Sequence, residues 1–182
     1  WRLSGRELEK GAVPAAPPAS AESRAAAAGK AQALAREAGV RFSLPEAVAA
    51  LLAQDAPGAY VLDVRDAAAF AAGHMAGAAF APGGQAVQRA DDFIAVPGAS
   101  VIFVDDGDAR APLAAYWYRR MGFAEVHVLD GGMPAWRASG RLEAVGREHA
   151  EPLGLAAARA GTAFVDARAL YQRLNGAPEL RP

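Results

Sequence analysis

Three short runs of β-forming residues, none of which alternates with polar residues, place the tightest limit on the fold of this chain. They lie at residues 60–64, 101–104 and 125–129. Strands without polar alternation are covered on both faces, as in parallel sheets. Helical patterns separate the runs, at residues 44–53, 67–72, 86–94, 111–121 and 133–139. The alternation predicts an α/β fold with a central parallel sheet of about four to five strands and helices on both faces.

The helix predicted at residues 111–121 carries large apolar residues at four-residue spacing. Leu113, Trp117 and Met121 therefore share one face of this helix. An apolar face on a helix of an α/β protein usually packs against the sheet. We predict that these three side chains belong to the core.

Composition excludes several kinds of protein. The chain has 182 residues and 53% hydrophobic content, which is enough for a buried core and argues against disorder. A formal charge of −1 gives no general attraction to nucleic acid or an anionic membrane. No apolar run approaches the roughly 20 residues that cross a bilayer. The absence of cysteine excludes disulfides, thiolate metal sites and thiol catalysis within this chain.

A repeated hexapeptide suggests tandem units. Residues 1–6 read Trp-Arg-Leu-Ser-Gly-Arg, and residues 136–141 read Trp-Arg-Ala-Ser-Gly-Arg. A weaker similarity joins residues 42–46 to residues 164–168, where Ser43 and Asp166 are each predicted to cap a helix. Self-similarity of this kind is typical of repeated structural units.

The repeat divides the chain into four predicted parts. Residues 1–10 are the final helix of a preceding unit, residues 11–40 a linker with an alanine-rich helix at 21–38, residues 41–145 a complete domain, and residues 146–182 a linker and the start of a following unit. We expect apolar residues within 1–9 and 162–174 to lack their native cores. The start at Trp1 has no signal-peptide layout, so we expect a piece of a longer cytoplasmic protein, and the arginine and alanine bias suggests a bacterial source.

Two motifs resemble the rhodanese family. Residues 63–78 read DVRDAAAFAAGHMAGA, which is similar to the family's Asp-Val-Arg followed by Gly-His-Ile-x-Gly-Ala. Residues 121–136 resemble its closing strand, Gly-Gly turn and tryptophan helix. The resemblance covers the whole predicted domain in the right order. It implies a rhodanese-like three-layer α/β fold and a relation to thiosulfate sulfurtransferases.

The resemblance fails at the family's sulfur-carrying loop, Cys-x-x-Gly-x-Arg-Ser. The aligned residues are Asp105, Asp106, Gly107, Asp108, Ala109, Arg110 and Ala111. Only the arginine is shared, and Asp105 stands at the position of the nucleophile. A carboxylate forms no stable persulfide, and three aspartates would repel an anionic sulfur donor. We therefore predict no catalytic residue in this domain.

The 105–111 loop should still curl before the following helix, where its backbone N–H groups need acceptors. We predict that Asp105 or Asp108, aided by Arg110, accepts these hydrogen bonds and that the bonds lower the pKa of that carboxylate. The alternative is a splayed loop whose aspartates repel one another outward. Arg110 is expected to pair with one of the local aspartates.

The resemblance also implies a supporting role for Asp63 and Arg65. Ala69 stands where related domains usually carry glutamate, which removes a possible partner of Arg65. Structural roles account for the paired glycines and the two histidines that follow. We predict a tight turn at residues 131–132 without nucleotide binding, a backbone hydrogen bond for His74, and a core or sheet-face position for His127. No metal or cofactor site is predicted.

Three functions stay open at this point. The first is a non-catalytic module that spaces, binds or regulates neighbouring rhodanese-like domains of the same chain, or a protein partner. The second is a fragment of an active sulfurtransferase whose cysteine lies in another repeat. The third is a magnesium-dependent hydrolase, because residues 106–108 read Asp-Gly-Asp, similar to the Asp-x-Asp of haloacid-dehalogenase-type phosphatases.

Overall fold

The structure is a computed structural model in which residues 4–6, 18–53, 58–96, 98–146 and 159–176 are described. The chain divides into two compact units, Trp1–Arg147 and Glu148–Pro182. None of the helices in the described residues is both long and apolar enough to span a membrane.

The first unit alternates helices and strands in chain order. Its helices are α1 (Ala21–Glu37), α2 (Pro45–Leu52), α3 (Ala67–Ala72), α4 (Gly83–Gln88), α5 (Ala90–Phe93), α6 (Arg110–Arg120) and α7 (Gly132–Ala138). Its strands are β1 (Arg41–Ser43), β2 (Ala59–Asp63), β3 (His74–Met75), β4 (Ala79–Phe80), β5 (Ser100–Val104), β6 (Val126–Leu129) and β7 (Glu143–Ala144).

Five strands form one parallel sheet in the order β1-β6-β5-β2-β4. The strand β5 lies at its centre, and residues 101–104 of this strand are fully buried. Burial along successive residues means that both faces of the strand are covered, since neighbouring side chains point to opposite faces. The predicted parallel α/β sheet of about four to five strands is confirmed. The strands β3 and β7 form a separate antiparallel pair.

Two hydrophobic clusters lie on the two faces of the sheet. Phe103 of β5 belongs to one cluster, where its ring meets that of Tyr118 from α6 edge to face. Ile102, the preceding residue, belongs to the other cluster, together with Met133 and Trp136 of α7. Helices therefore cover the sheet on both faces, which gives the three layers expected from the sequence.

The predicted core face of α6 is wrong. Leu113, Trp117 and Met121 are 41%, 51% and 45% exposed. The buried residues of α6 are instead mostly small: Ala111, Pro112, Ala114, Ala115 and Tyr118. The helix packs against α1, α4 and the sheet, and small side chains allow such close approach of helix backbones. Four-residue spacing identified one face of the helix correctly but assigned that face to the wrong environment.

Several element limits also differ from the sequence prediction. The helix predicted at residues 86–94 is two short helices, α4 and α5, because Arg89 between them has φ −125° and ψ 40°. The strands β1 and β4 were not predicted, since each has only two or three residues. Ser43 does not cap α2; its hydroxyl contacts His127, and the N-cap residue Leu44 makes no side-chain bond.

The second unit contains the helix α8 (Ala167–Gly176) in its described residues. Asp166 caps this helix as predicted, because its carboxylate accepts the Ala169 N–H at 2.9 Å. None of residues 159–176 is buried, and Phe164 and Tyr171 are exposed. Most of residues 1–9 lie outside the described residues. The four-part division of the chain stays a prediction.

Candidate functional site

The candidate site lies where two adjacent parallel strands end. Asp63 is the last residue of β2, and Asp105 directly follows β5. These strands are paired in parallel, with Asp63 beside Val104. The carboxyl ends of parallel strands meet at one edge of the sheet, so the two aspartates and the 105–111 loop share that edge.

The carboxylate of Asp105 turns into its own loop. Its Oδ1 accepts the Gly107 N–H at 2.8 Å, and its Oδ2 accepts the Ala111 N–H at 2.8 Å. The residue is only 1% exposed. The predicted carboxylate-to-backbone bonds are therefore present, and the splayed alternative is wrong for Asp105.

Burial decides the acidity of Asp105. Removal from water, and to a smaller extent the neighbouring Asp108, raise the pKa of this carboxyl, the N–H bonds from Ala111 and Gly107 lower it, and together these effects raise the pKa from 3.8 to about 7. The predicted lowering of the pKa is wrong for Asp105, whereas it holds for Asp108, which accepts the Arg110 N–H and has a lowered pKa. The prediction counted the hydrogen bonds and omitted the larger cost of burying the charge without a cation.

Asp108 is held by Arg110 at the start of α6. Its Oδ1 accepts the Arg110 N–H at 2.8 Å, and its Oδ2 accepts Nε and Nη2 of the guanidinium at 2.9 and 2.6 Å. Burial raises the pKa of Asp108, but the bonds from Arg110 and the interaction with Asp105 outweigh burial and hold it below its ordinary value. Arg110 thus pairs with a local aspartate as predicted, and it neutralises Asp108 and not Asp105.

Arg65 links the end of β2 to the 105–111 loop. Its Nε and Nη2 donate to the two carboxylate oxygens of Asp63 at 2.9 and 2.7 Å, and both residues are buried. Nη2 also donates to the Gly73 carbonyl at 2.6 Å, and Nη1 donates to Asp106 Oδ1 at 3.2 Å. These acceptors satisfy the guanidinium even though Ala69 offers no carboxylate.

The glycine turn at the start of α7 packs against the backbone of the 105–111 loop. Gly132 has φ +59°, and a Cβ atom there would lie 2.3 Å from the Asp105 carbonyl oxygen and 2.6 Å from the Gly107 nitrogen. The next residue, Met133, donates its N–H to the same Asp105 carbonyl at 2.8 Å. The sequence predicted a tight turn here but missed this contact. The paired glycines after a strand were the available signal.

The two histidines have structural contacts. His74 Nδ1 lies 2.9 Å from the Phe70 carbonyl, and its ring stacks on Phe70 at 3.8 Å between centroids. His127 Nδ1 lies 2.9 Å from the Ser43 hydroxyl, and burial lowers the pKa of this imidazole. Both predictions for these side chains are confirmed.

The donor set of the loop does not suit a metal ion. Asp106 binds Arg65 and Asp108 binds Arg110, so the two carboxylates of the Asp-Gly-Asp sequence are each directed to a different cation. Within the described residues, no group of three or more histidine, cysteine, aspartate or glutamate side chains could hold a metal ion. The geometry does not favour a magnesium-dependent hydrolase.

Fold and site together define an α/β protein whose candidate site is a backbone loop between a central parallel strand and the following helix. The family model of the Rhodanese-like domain matches residues 44–139, so this chain belongs to the rhodanese-like domain family.

Curated relatives include bacterial sulfurtransferases. The chain is 36% identical over 85 residues to thiosulfate sulfurtransferase GlpE of Pseudomonas putida (strain GB-1), covering 45% of this chain and 73% of that protein. It is 34% identical over 84 residues to GlpE of Pseudomonas aeruginosa (strain LESB58), covering 44% of this chain and 72% of that protein.

Solved structures show the same fold. A crystal structure of a thiosulfate sulfurtransferase from Pseudomonas aeruginosa matches with a TM-score of 0.65 and 39% identity, covering 72% of this chain and 25% of that chain. The Alr3790 protein from Anabaena matches with a TM-score of 0.51 and 29% identity, covering 57% of this chain and 81% of that chain. The chain thus spans a quarter of the Pseudomonas aeruginosa chain and most of the Anabaena chain.

Proposed function

We propose that this rhodanese-like domain does not itself transfer sulfur and that it acts as a structural, binding or regulatory module within a multi-domain, thiosulfate sulfurtransferase-type protein. One observation carries the proposal. The Asp105 carboxylate stands at the nucleophile position implied by the family resemblance, and it accepts the Gly107 and Ala111 N–H groups. An internal side chain therefore occupies the donors that would otherwise bind an anionic sulfur species.

The charges around the loop also support the proposal. The two nearby guanidinium groups already bind carboxylates, since Arg65 holds Asp63 and Asp106, and Arg110 holds Asp108. A donor such as thiosulfate carries negative charge and would have to approach these acidic side chains. Charge therefore opposes binding of the donor, and without a thiol no persulfide can form.

The length of one relative supports a multi-domain setting. The matched region fills 72% of this chain but 25% of the Pseudomonas aeruginosa sulfurtransferase chain, so that chain is nearly three times as long as this one. The hexapeptide repeat at residues 1–6 and 136–141 points in the same direction. In such a protein, a cysteine in another rhodanese-like domain would carry the transfer activity.

The Pseudomonas relatives support a bacterial source. We also propose a cytoplasmic location, which cell fractionation tests.

Thiosulfate-to-cyanide sulfur transfer tests the loss of activity directly. We expect the chain as it stands to give no transfer above background, while GlpE of Pseudomonas putida serves as the active control. The single substitution Asp105→Cys should restore little activity, because Asp106 and Asp108 repel the donor and raise the thiol pKa. The triple variant Asp105→Cys, Asp108→Gly, Ala111→Ser reproduces the family's Cys-x-x-Gly-x-Arg-Ser pattern and should exceed the single variant by about tenfold or more.

The two variants separate the chemical requirement from the electrostatic one. Transfer by the unchanged chain would refute the proposal. Strong transfer by Asp105→Cys alone would show that the remaining aspartates do not hinder the donor, and the electrostatic part of the argument would then be wrong.

A further inference from the structure

The helix α8 of the second unit begins at the same point of its segment as α2 does in the first unit. Residues 42–52 and 164–174 align without a gap, and each segment begins with a phenylalanine. In this alignment the first residues of the two helices, Pro45 and Ala167, coincide. The similarity between the two segments therefore extends from sequence to local structure.

The backbone bond that opens each helix is also the same. In α2, the Val48 N–H donates to the Leu44 carbonyl at 3.0 Å. In α8, the Leu170 N–H donates to the Asp166 carbonyl at 2.9 Å. The two donors occupy one position of the alignment and the two acceptors another, so Val48 and Leu170 are equivalent residues.

The equivalent residues differ in what covers them. Val48 is fully buried in the core of the first unit, whereas Leu170 is 45% exposed. Phe42 packs against a hydrophobic cluster of the sheet, whereas Phe164 is 81% exposed. The segment 164–174 therefore has the apolar side chains of a packed strand and helix, but within the described residues no sheet buries them.

A third equivalent pair is exposed in both units. Leu52 and Leu174 occupy the same position of the alignment, and each is 37% exposed. A helix that packs on a sheet buries only one of its faces. Leu174 therefore needs no more cover than Leu52 has in the first unit, whereas Leu170 and Phe164 do.

Arg173 is a departure from the match, because its equivalent, Leu51, packs against the core. Leu51 is only partly buried. An arginine can lay its aliphatic stem on an apolar surface while its charge stays in water. The position therefore tolerates the change.

We propose that residues 164–176 are the first strand and the following helix of a second rhodanese-like domain, and that the parallel sheet of this second domain covers their apolar side chains. Phe164 then lies on an edge strand, and Leu170 lies in the core. The proposal rests on the multi-domain part of the proposed function, and it is independent of whether residues 41–145 transfer sulfur.

The first unit identifies this sheet as the partner of the segment. There, β1 pairs in parallel with β6, which places the strand at the edge of the sheet. Val48 of α2 lies in one hydrophobic cluster with Ile102 of β5 and Met133 of α7. A segment with the same helix start and equivalent apolar positions fits the same kind of surface.

Amide hydrogen exchange of single residues, followed by NMR, tests the proposal. The 182-residue chain is compared with the same protein extended along its natural coding sequence by about 100 residues, the size of a small domain. In the shorter chain the Leu170 amide should exchange nearly as fast as in an unfolded chain, because an isolated helix of ten residues is marginal in water. In the longer chain it should exchange at least about a hundredfold more slowly. The Val48 amide, which should be protected in both chains, is the reference within each molecule.

Two substitutions in the longer chain separate the two faces of α8. Leu170→Ser should remove the protection of residues 167–176 and leave Val48 protected, whether the second domain is loosened or unfolded. Leu174→Ser is the matched control, and it should change the exchange of the Leu170 amide by no more than about threefold, as for a surface substitution.

Three results overturn the proposal. The first is an unprotected Leu170 amide in the longer chain, or a natural coding sequence that supplies no further strands after residue 176. The second is protection that is already present in the shorter chain, since a second copy or another surface would then cover the segment. The third is an equal effect of the two substitutions. Sulfur transfer by the unchanged chain would refute the proposed function and leave the exchange result unaffected, so the two failures are distinguishable.

Discussion

Two buried carboxylates end adjacent strands of the same sheet, and they are stabilised in different ways. Asp63 at the end of β2 lies against the guanidinium of Arg65, which donates to both of its oxygens. Asp105 after β5 is equally buried, but it receives only the Gly107 and Ala111 N–H groups and has Asp108 beside it. A full counter-charge compensates the burial of Asp63, whereas backbone dipoles compensate that of Asp105 only in part, so its pKa rises to about 7.

Removing the counter-charge of Asp63 should have the largest effect. Arg65→Ala leaves a buried carboxylate without a cation and also leaves the Gly73 carbonyl without its donor. We expect the free energy of unfolding to fall by about 3–5 kcal/mol. Urea denaturation followed by circular dichroism measures this change.

Arg137→Ala is the matched control, because Arg137 forms an ion pair with Glu143 that is partly exposed. Its loss should cost about 1 kcal/mol or less. Equal losses for the two variants would show that burial does not distinguish the Asp63 pair from a surface pair.

The raised pKa of Asp105 should make the free energy of unfolding depend on pH. We expect this effect to be smaller than that of Arg65→Ala and larger than that of Asp106→Asn. Its pKa in the folded protein, about 7, exceeds its ordinary value of 3.8. The folded state therefore binds the proton more tightly than the unfolded state. The stabilising contribution of the protonated carboxyl is complete below about pH 4 and is lost as the pH rises through about 7.

Asp105→Asn removes this titration. The difference in unfolding free energy between the unchanged chain and the variant should fall steadily from pH 5 to pH 8, as measured by urea denaturation at each pH. Asp108 does not interfere, because its lowered pKa affects stability at more acidic pH. At pH 5 the Asp105 carboxyl is protonated, and both of its oxygens can still accept an N–H bond, whereas the asparagine amide keeps only one acceptor. The variant should therefore be less stable than the unchanged chain at the acidic end. Parallel stability curves across this window would contradict the raised pKa.

Of the acidic residues at this edge of the sheet, Asp106 should have the smallest effect on stability. It is partly exposed and contacts only one nitrogen of Arg65, which keeps Asp63 and the Gly73 carbonyl as partners. Asp106→Asn should therefore reduce the unfolding free energy by less than about 1 kcal/mol. A loss close to that of Arg65→Ala would mean that Arg65 depends on the loop and not mainly on Asp63.

The parts of the fold that were predictable from sequence are those with a long local pattern. The three buried strands appeared within about one residue of their predicted limits because their apolar runs are uninterrupted. The strand β1 was not predicted because it has only three residues and is defined by its pairing with β6. For α6, periodicity marked the face of Trp117, but alanines on the other face allow the helix packing that decides burial.

The candidate site was predictable in its residues more than in its energetics. The position of Asp105 after a buried strand indicated that its carboxylate could reach loop N–H groups, which it does. The depth of its burial depends on the rest of the fold, including the glycine turn at the start of α7, so the cost of ionising Asp105 was not predictable from local sequence. The contacts of Arg65 with Gly73 and Asp106 likewise need the three-dimensional arrangement.

The contact of Gly132 with the loop has a consequence for substitutions at position 105. The atoms nearest to a Cβ placed on Gly132 are backbone atoms of Asp105 and Gly107, and the Met133 N–H binds the carbonyl of Asp105. The path of the main chain is thus constrained by residues that follow β6, whichever side chain position 105 carries. A neutral, acidic or thiol side chain can therefore occupy position 105 while Gly132 and Met133 hold the same main-chain path. The chemistry of this position can change without a change in the backbone of the loop.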